Sequence, residues 1–182
     1  MILPIFAYGS RVLKKKAKAL EPDFPDLAIL INNMWETMYN ASGVGLAAPQ
    51  IGKSVRIFII DTTQVSQERE VSGIKRVFLN ATKVSESGED WCYEEGCLSI
   101  PEVRGDVDRP EEITLRYLNE EWTEVVETFT DIEARVIQHE YDHLEGILFT
   151  ELLKPVRKRR VKRKLENIKK GIAEVEYPLR FT

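Results

Sequence analysis

The sequence predicts an α+β fold. Segments 112–118 and 123–129 have the composition of strands and are separated by a short turn at 119–122, which indicates an antiparallel hairpin. Three other segments repeat their apolar residues at helical spacing and lie apart from that hairpin. Hairpin strands with segregated helices are typical of this class. A length of 182 residues fits one domain spanning 1–182.

The first predicted helix follows Asp23 and Pro25, which are start signals for a helix. Its apolar residues recur at helical spacing: Leu27, Leu30, Ile31, Met34, Trp35 and Met38. Segment 40–52 contains three glycines and a proline, and it predicts a loop or an irregular strand. Segment 55–60 predicts a buried strand, whereas the polar segment 61–75 predicts a surface excursion.

The second predicted helix has clear signals at both ends. Thr130 and Glu133 match a capping box, and Gly146 stands where a left-handed C-terminal cap would lie. The apolar stripe between these ends consists of Ile132 and Val136 and continues through His139 and His143. Both histidines are therefore predicted to face the interior.

A last helix is predicted at 154–172, with Val161, Leu165, Ile168 and Ile172 along one side. Between positions 154 and 170 the chain has ten Lys or Arg residues and one acidic residue. These charges form either the solvent-exposed face of an ordinary amphipathic helix or a docking surface for an anionic partner. On physical grounds alone, the ordinary solvent-exposed face is slightly favoured.

Composition excludes several classes of function. The net charge of −4 gives no reason to expect binding to DNA. No apolar run approaches the roughly 20 residues of a membrane helix, so a membrane partner is not expected. The short apolar start at 1–6 precedes its lysines, which is the wrong order for a secretory signal, and two cysteines indicate a reducing compartment. The sequence therefore predicts a cytoplasmic protein.

The pattern His-Glu-x-x-His at 139–143 carries the chemistry. One helical turn separates His139 from His143, so both imidazoles project from one face and can hold a single divalent metal. Glu140 is next to the first ligand and can reach a water on the open side of the metal, which is the place for a general base. The alternative is a helix with two packed histidines and a solvated glutamate.

The third ligand decides the class of the site. The chain has two histidines, which excludes metal sites that need a third. The remaining candidates are Cys97, whose thiolate is a strong ligand, and downstream carboxylates as in thermolysin-like proteases: Glu145, Glu151, Glu166 and Glu174. Without a metal, Cys97 would be a small buried apolar residue. Cys92 is interpreted as a structural thiol of that kind, or at most as an accidental disulfide partner.

Three segments together resemble the peptide deformylases. They are Gly-Val-Gly-Leu-Ala-Ala-Pro-Gln at 43–50, Glu-Gly-Cys-Leu-Ser at 95–99, and Gln-His-Glu-x-Asp-His-Leu-x-Gly at 138–146. Three motifs in this order form a specific signature, and the likeness covers nearly the whole chain. It implies antiparallel or mixed β-sheets around the central H-E-x-x-H helix, with one helix before and one after. It also implies a hydrolase that removes the N-formyl group from formyl-methionine of new polypeptides, by metal-activated water with Glu140 as base.

The resemblance also implies the metal centre. Cys97, His139 and His143 would be its ligands, with water in the fourth position. The implied working metal is Fe²⁺, with Zn²⁺, Ni²⁺ or Co²⁺ able to substitute. The ligand chemistry alone does not choose among them, because one thiolate and two imidazoles suit zinc at least as well.

The substrate contacts carry over from the same motifs. Gln50, through its side-chain amide, and Leu98, through its backbone N–H, would form the oxyanion site. Residues along the N-formylmethionyl peptide, whose backbone would add to a strand edge, would be Gly43, Val44, Gly45, Glu95 and Gly96. An apolar pocket for the methionine has as candidates Val44, Tyr93, Ile132 and Val136, each equally credible as core.

Three polar residues and the C-terminal helix keep two interpretations each. Asp142 either orients an imidazole or forms a surface ion pair. Arg104 and Arg135 either rim the peptide groove or are ordinary solvated arginines, the latter being favoured. The last helix resembles that of the bacterial branch in which it contacts the ribosome. Rival functions are a thermolysin-like endopeptidase and a ribosome or RNA adaptor with a structural zinc.

Overall fold

The computed structural model describes residues 1–66 and 73–181, and within them it has four α-helices and two β-sheets. The elements in chain order are β1 (Ile5–Phe6), α1 (Leu27–Asn40), β2 (Gly45–Ala47), β3 (Ile57–Asp61), α2 (Thr63–Ser66), β4 (Lys75–Cys97), β5 (Ile100–Leu118), β6 (Glu124–Thr130), α3 (Asp131–Glu145), α4 (Pro155–Lys169) and β7 (Leu179–Arg180). The predicted α+β class is confirmed. No helix in the described ranges is both long and apolar enough to cross a membrane.

The larger sheet is antiparallel, with strand order β2-β3-β4-β5-β6. Its last two strands form the predicted hairpin, and Asn119 shapes the turn by accepting hydrogen bonds from the backbone N–H groups of Glu121 and Thr123. The smaller sheet pairs β1 with β7 in parallel. The sheets are therefore mixed in type, as the resemblance implies.

The longest strands were not predicted. β4 and β5 have 23 and 19 residues and form one long hairpin, whose register shifts at four places. Much of the middle of β4 is exposed on both faces, so its sequence lacks the apolar alternation by which strands are recognised. Cys97 is the last residue of β4, and the two-residue turn Leu98–Ser99 leads into β5.

Strand β3 lies in the middle of the core and is buried on both faces. Phe58 and Ile60 pack in the cluster that includes α3, whereas Ile57 and Ile59 pack in the cluster that includes α1. The rings of Phe58 and Phe78 stack with centroids 4.5 Å apart. This two-sided burial explains why the strand has a continuous apolar sequence instead of an alternating one.

Polar residues near the end of β3 depart from the prediction. Asp61 is the last residue of β3 and is buried, as is Thr62, so the predicted surface excursion at 61–75 does not begin there. Asp61 is buried because it accepts hydrogen bonds from Thr63 and from the hydroxyl of Tyr39. Residues 67–72, the middle of that excursion, lie outside the described ranges.

Helix α3 packs against β2, β3 and β5, which makes it the central helix of the fold. It begins after Thr130 and ends at Gly146, whose φ of 74° is the predicted left-handed cap. The predicted capping box is not formed, because the Thr130 side chain makes no capping hydrogen bond. Asp131 has a φ of 53°, so the chain enters the helix through a left-handed residue instead.

Helix α4 is shorter than predicted. It ends at Lys169, and Gly171 follows with a φ of 77°, so Ile172 is 61% exposed and does not extend the apolar side formed by Val161 and Ile168. The chain then continues as a tail in which odd-numbered residues from 173 to 181 are half-buried and those between them are exposed. This tail, which ends in β7, was not predicted.

Candidate metal centre and active site

The side chains of Cys97, His139 and His143 meet at one point. Their ligand atoms all lie within 4.8 Å of one another, and the Cys97 sulfur is 3.3 Å from Nε2 of His143. Cys97 arrives on the end of β4, next to an irregularity in the pairing with β5, and the histidines lie one turn apart on α3. The end of β4 and the helix α3 thus bring together residues that are more than 40 positions apart in the chain.

These three donors fit a divalent metal ion. Ligand atoms at 2.0–2.3 Å from one tetrahedral cation are about 3.4 Å apart, close to the observed distance between Cys97 and His143. His143 is buried, and Nε2 is its ring nitrogen that faces the Cys97 sulfur. A site with three protein ligands leaves a fourth position open, which is characteristic of catalytic rather than structural sites.

A buried charged network orients His139. Nδ1 of His139 lies 2.9 Å from Oε2 of Glu95, and the Glu95 carboxylate also accepts hydrogen bonds from Arg109 and Arg135. Arg109 donates in turn to Asp142 at 2.7 Å. Asp142 is therefore linked to His139 through Arg109 and Glu95, and its ion pair is with a buried arginine and not at the surface.

Charges in this cluster shift the pKa values of both histidines. Burial alone would lower the pKa of His139, but hydrogen bonds and charges from Cys97 and Glu95 outweigh it and raise that pKa well above 6.5. Burial and the charge of His139 lower the pKa of His143 well below 6.5. Burial would raise the pKa of Glu95, yet its bonds to His139 and Arg109 hold it well below its usual range. Glu95 is thus an ionised carboxylate inside the protein.

Glu140 lies beside the ligand cluster and is 4% exposed. Burial raises the pKa of Glu140 to about 7. Its Oε2 has no hydrogen-bond partner among the described residues, so one carboxylate oxygen is available to a bound molecule. The other oxygen packs against Gly45, where a Cβ atom would come within 2.5 Å of it. A buried carboxyl group that titrates near neutral pH suits proton transfer.

Gln50 points its amide nitrogen at the same cluster. Nε2 lies 3.5 Å from the Cys97 sulfur and 3.3 Å from the hydroxyl of Ser99. Oε1 accepts a hydrogen bond from the backbone N–H of Ala47, which fixes which end of the amide faces the site. Leu98 is next to Cys97 in the turn, and its carbonyl accepts a hydrogen bond from the hydroxyl of Tyr177.

A groove with a volume of about 710 Å³ opens over this cluster. It is lined by all five predicted peptide contacts, namely Gly43, Val44, Gly45, Glu95 and Gly96. The predicted methionine pocket lies in the same wall, with Val44, Tyr93, Ile132 and Val136, and these residues also pack against the core. The carboxylate of Glu95 is bonded to His139, Arg109 and Arg135, so this group is directed into the protein interior.

Two predictions about solvent exposure were wrong. Arg135 is not a solvated arginine: its side chain is 2% exposed and donates to Glu95 and to the carbonyls of Val107 and Trp91. Cys92 is exposed and not a buried structural thiol, because the middle of the long hairpin stands away from the core. Both cysteines are free. Arg104 does rim the groove, with a side chain that is 66% exposed.

Three of the four rival carboxylate ligands are engaged elsewhere, and the fourth, Glu174, is exposed in the segment after α4. Glu151 accepts hydrogen bonds from Lys14 and from the backbone of Leu148, and Glu166 pairs with Lys169. Glu145 pairs with Arg56 and Lys16. Sequence reasoning missed Arg109 and Tyr177, which carry no motif and reach the site only through the fold.

Comparison with known proteins identifies the family. A family model described as polypeptide deformylase matches residues 2–159. The chain belongs to the peptide deformylase family. A peptide deformylase of Christiangramia forsetii is 54% identical over 100% of this chain and 96% of its own length. The one of Flavobacterium johnsoniae is 50% identical with the same coverage.

Solved structures of peptide deformylases have the same fold. The crystal structure of one from Legionella pneumophila has a TM-score of 0.82 and 37% identity, covering 96% of this chain and 99% of that one. One from Synechococcus elongatus, in complex with actinonin, has a TM-score of 0.77 and 34% identity, covering 99% and 92%. Membership makes this protein a metal-dependent hydrolase that removes the N-formyl group from newly synthesised polypeptides.

Proposed function

We propose that deformylation takes place at one divalent cation held by Cys97, His139 and His143, with Glu140 as the general base. The observation that carries this proposal is the convergence of the three ligand atoms within 4.8 Å, with Glu140 buried beside them. A divalent cation in this position supplies Lewis acidity, which polarises a carbonyl oxygen and lowers the pKa of water from about 15.7 towards about 7.

Glu140 moves the proton. Its unpartnered Oε2 accepts a proton from the attacking water and delivers it to the nitrogen of the departing amine. A carboxyl group whose pKa lies near 7 can both accept and return a proton at neutral pH, because neither transfer is strongly uphill. The products are formate and a polypeptide with a free amino terminus.

Gln50 and Leu98 form the oxyanion site. Negative charge develops on the formyl oxygen during attack, and the Gln50 amide and the Leu98 N–H donate hydrogen bonds to it. The fixed orientation of the Gln50 amide, whose Oε1 is held by Ala47, means that no reorganisation is needed when the charge appears. Loss of one such donor typically costs about 3 kcal/mol of transition-state stabilisation.

The formyl-methionyl peptide lies in the groove as an additional strand. β2 is the edge strand of the larger sheet, so one side of its backbone is free to pair with an extended peptide. Gly43, Val44 and Gly45 offer that edge, while Glu95 and Gly96 form the facing wall. The apolar patch formed by Ile132 and Val136 receives the methionine side chain.

The working metal is Fe²⁺, and Zn²⁺, Ni²⁺ or Co²⁺ can take its place. The test is anaerobic purification followed by metal analysis and a formate-release assay on formyl-Met-Ala-Ser. We expect iron in stoichiometric amount and formate release that disappears when a chelator removes the metal. Cleavage of casein without formate release would instead favour the endopeptidase. Four protein ligands with no turnover would favour the structural-zinc adaptor.

The basic face of α4 docks on the ribosome in the cytoplasm, where nascent chains emerge. Support comes from Arg159, Lys162 and Arg163, which are exposed on α4. Val161 and Ile168, on the other side of the helix, are buried against the rest of the protein. Phosphate contacts make such binding salt-dependent.

The ribosome proposal can be tested without truncating the chain. A triple variant of Arg159, Lys162 and Arg163 to glutamate should lose sedimentation with ribosomes and keep formate release on a short peptide. The same charge change at the exposed residues Lys15, Lys18 and Lys53, which lie outside α4, is the control and should still bind. Equal binding by both variants would contradict the proposed docking face.

A further inference from the structure

The tail that follows α4 returns to the active-site groove. It begins after Gly171 and leads, with a bend at Glu176–Tyr177, to β7, which pairs with β1 near the N-terminus. Backbone hydrogen bonds of 2.8 Å from Ile5 to Pro178 and from Ala7 to Arg180 anchor it there. The match to the family model ends at residue 159, before this tail begins.

Tyr177 reaches from this tail to the turn that carries Leu98. Its hydroxyl donates a hydrogen bond of 2.8 Å to the carbonyl of Leu98, and its side chain lines the groove together with Val175. The same turn is held from another side by the backbone N–H of Tyr8, which donates to the carbonyl of Ser99 at 2.7 Å. Segments from both ends of the chain therefore fix the two residues that follow Cys97.

We propose that Tyr177 is a positioning residue for deformylation, which acts by holding the Leu98 turn so that the Leu98 N–H points at the formyl oxygen. This inference rests on the proposed oxyanion role of Leu98. The carbonyl and the N–H of Leu98 flank one Cα atom in a two-residue turn, so a fixed carbonyl restricts the rotations that would misdirect the N–H. The tail also supplies a wall of the groove that the family motifs do not contain.

Tyr177 also packs in a core cluster, so a purely structural role has to be separated from positioning. Substitution to phenylalanine keeps the ring and removes the hydroxyl alone. A structural role would then change the thermal unfolding temperature and leave the rate per metal-loaded molecule unaltered. A positioning role would lower kcat with little effect on KM, because the lost alignment matters in the transition state.

The experiment compares wild type, Tyr177→Phe and Tyr39→Phe, each loaded with the same metal. Tyr39 is the matched control because its hydroxyl also donates to an internal partner, Asp61, and because neither Tyr39 nor Asp61 lines the groove. Formate release, metal content and the thermal unfolding temperature are measured together with hydrogen–deuterium exchange of the peptide that spans 95–100.

For Tyr177→Phe we expect a kcat that is about tenfold lower, an unchanged KM and metal content, and faster amide exchange in 95–100. Tyr39→Phe should match wild type in kcat, KM, metal content and amide exchange. Wild-type kcat and exchange in Tyr177→Phe would overturn the inference. If metal-loaded wild type released no formate, the proposed function would fail, whereas the exchange measurement would still decide whether Tyr177 holds the turn.

Discussion

Nδ1 of His139 lies 2.9 Å from Oε2 of Glu95, whose side chain is buried. An ionised carboxylate can only accept a hydrogen bond, so this contact places a proton on Nδ1 and makes Nε2 the ring nitrogen that would bind a metal after losing its own proton. Arg109 and Arg135 balance the buried charge of Glu95. The network therefore orients the His139 ring and keeps its Nδ1 protonated.

Substitution of Glu95 by glutamine should weaken metal binding and destabilise the fold. The loss of an orienting partner typically lowers metal affinity about 10- to 100-fold. Leaving Arg109 and Arg135 buried without their carboxylate should reduce the free energy of unfolding by about 3 kcal/mol. Competition with a chelator and denaturant unfolding measure the two effects.

Glu94→Gln is the control for this variant. Glu94 is the neighbouring residue, but its side chain is 60% exposed. Its one ion pair shown among the described residues is a long one, 3.9 Å from the exposed side chain of Arg104. An exposed pair of this kind contributes little to stability. Metal affinity and stability should therefore stay at wild-type values. An equal loss in Glu94→Gln would show that charge in this segment, and not the contact with His139, is responsible.

Substitution of Glu140 by alanine should abolish nearly all turnover while the metal is retained. Glu140 is no ligand, but without it the attacking water has no base, and such a base typically contributes about 10²- to 10⁴-fold to the rate. Metal analysis and formate release on the same preparation separate the two properties. Glu133→Ala, two turns earlier on α3 and outside the groove, should remain active. Retained turnover in Glu140→Ala would require another base.

Substitution of Gly45 by alanine should displace Glu140. The added Cβ would come within 2.5 Å of Oε1, so the carboxylate or the edge strand has to shift. A misplacement of about 1 Å in an active site can cost about 100-fold in rate. Gly96→Ala is the contrast, because its Cβ would meet Arg104 at an ordinary 3.5 Å. That variant should keep its kcat, and similar losses of kcat in both would argue against crowding of Glu140.

The ends of α3 and the inward direction of its histidines were predictable because they are local properties. Gly146 and the stripe through Val136 follow from helical spacing alone. The hairpin of β5 and β6 was predictable for the same reason, since its turn joins neighbouring segments. The three ligands could be grouped only through the resemblance, because nothing in the spacing alone places Cys97 near α3.

The contacts that were missed join distant parts of the chain. Arg109 and Arg135 bond to Glu95 across 14 and 40 positions, and an arginine in a sequence gives no sign that it will be buried with a partner. The long hairpin of β4 and β5 escaped prediction because its exposed middle has no apolar pattern. Tyr177 contacts Leu98 across 79 positions, which only the folded tail makes possible.

The most direct test of the metal centre uses the two cysteines of the chain. Cys97→Ser and Cys92→Ser are the same chemical change, one at the ligand cluster and one at an exposed position on the long hairpin. Metal content per chain is measured after anaerobic dialysis, together with formate release. We expect one metal ion per chain and full activity in Cys92→Ser, and neither in Cys97→Ser, because a hydroxyl cannot replace a thiolate ligand at neutral pH. Full metal content and rate in Cys97→Ser would contradict the assignment of Cys97 as a ligand.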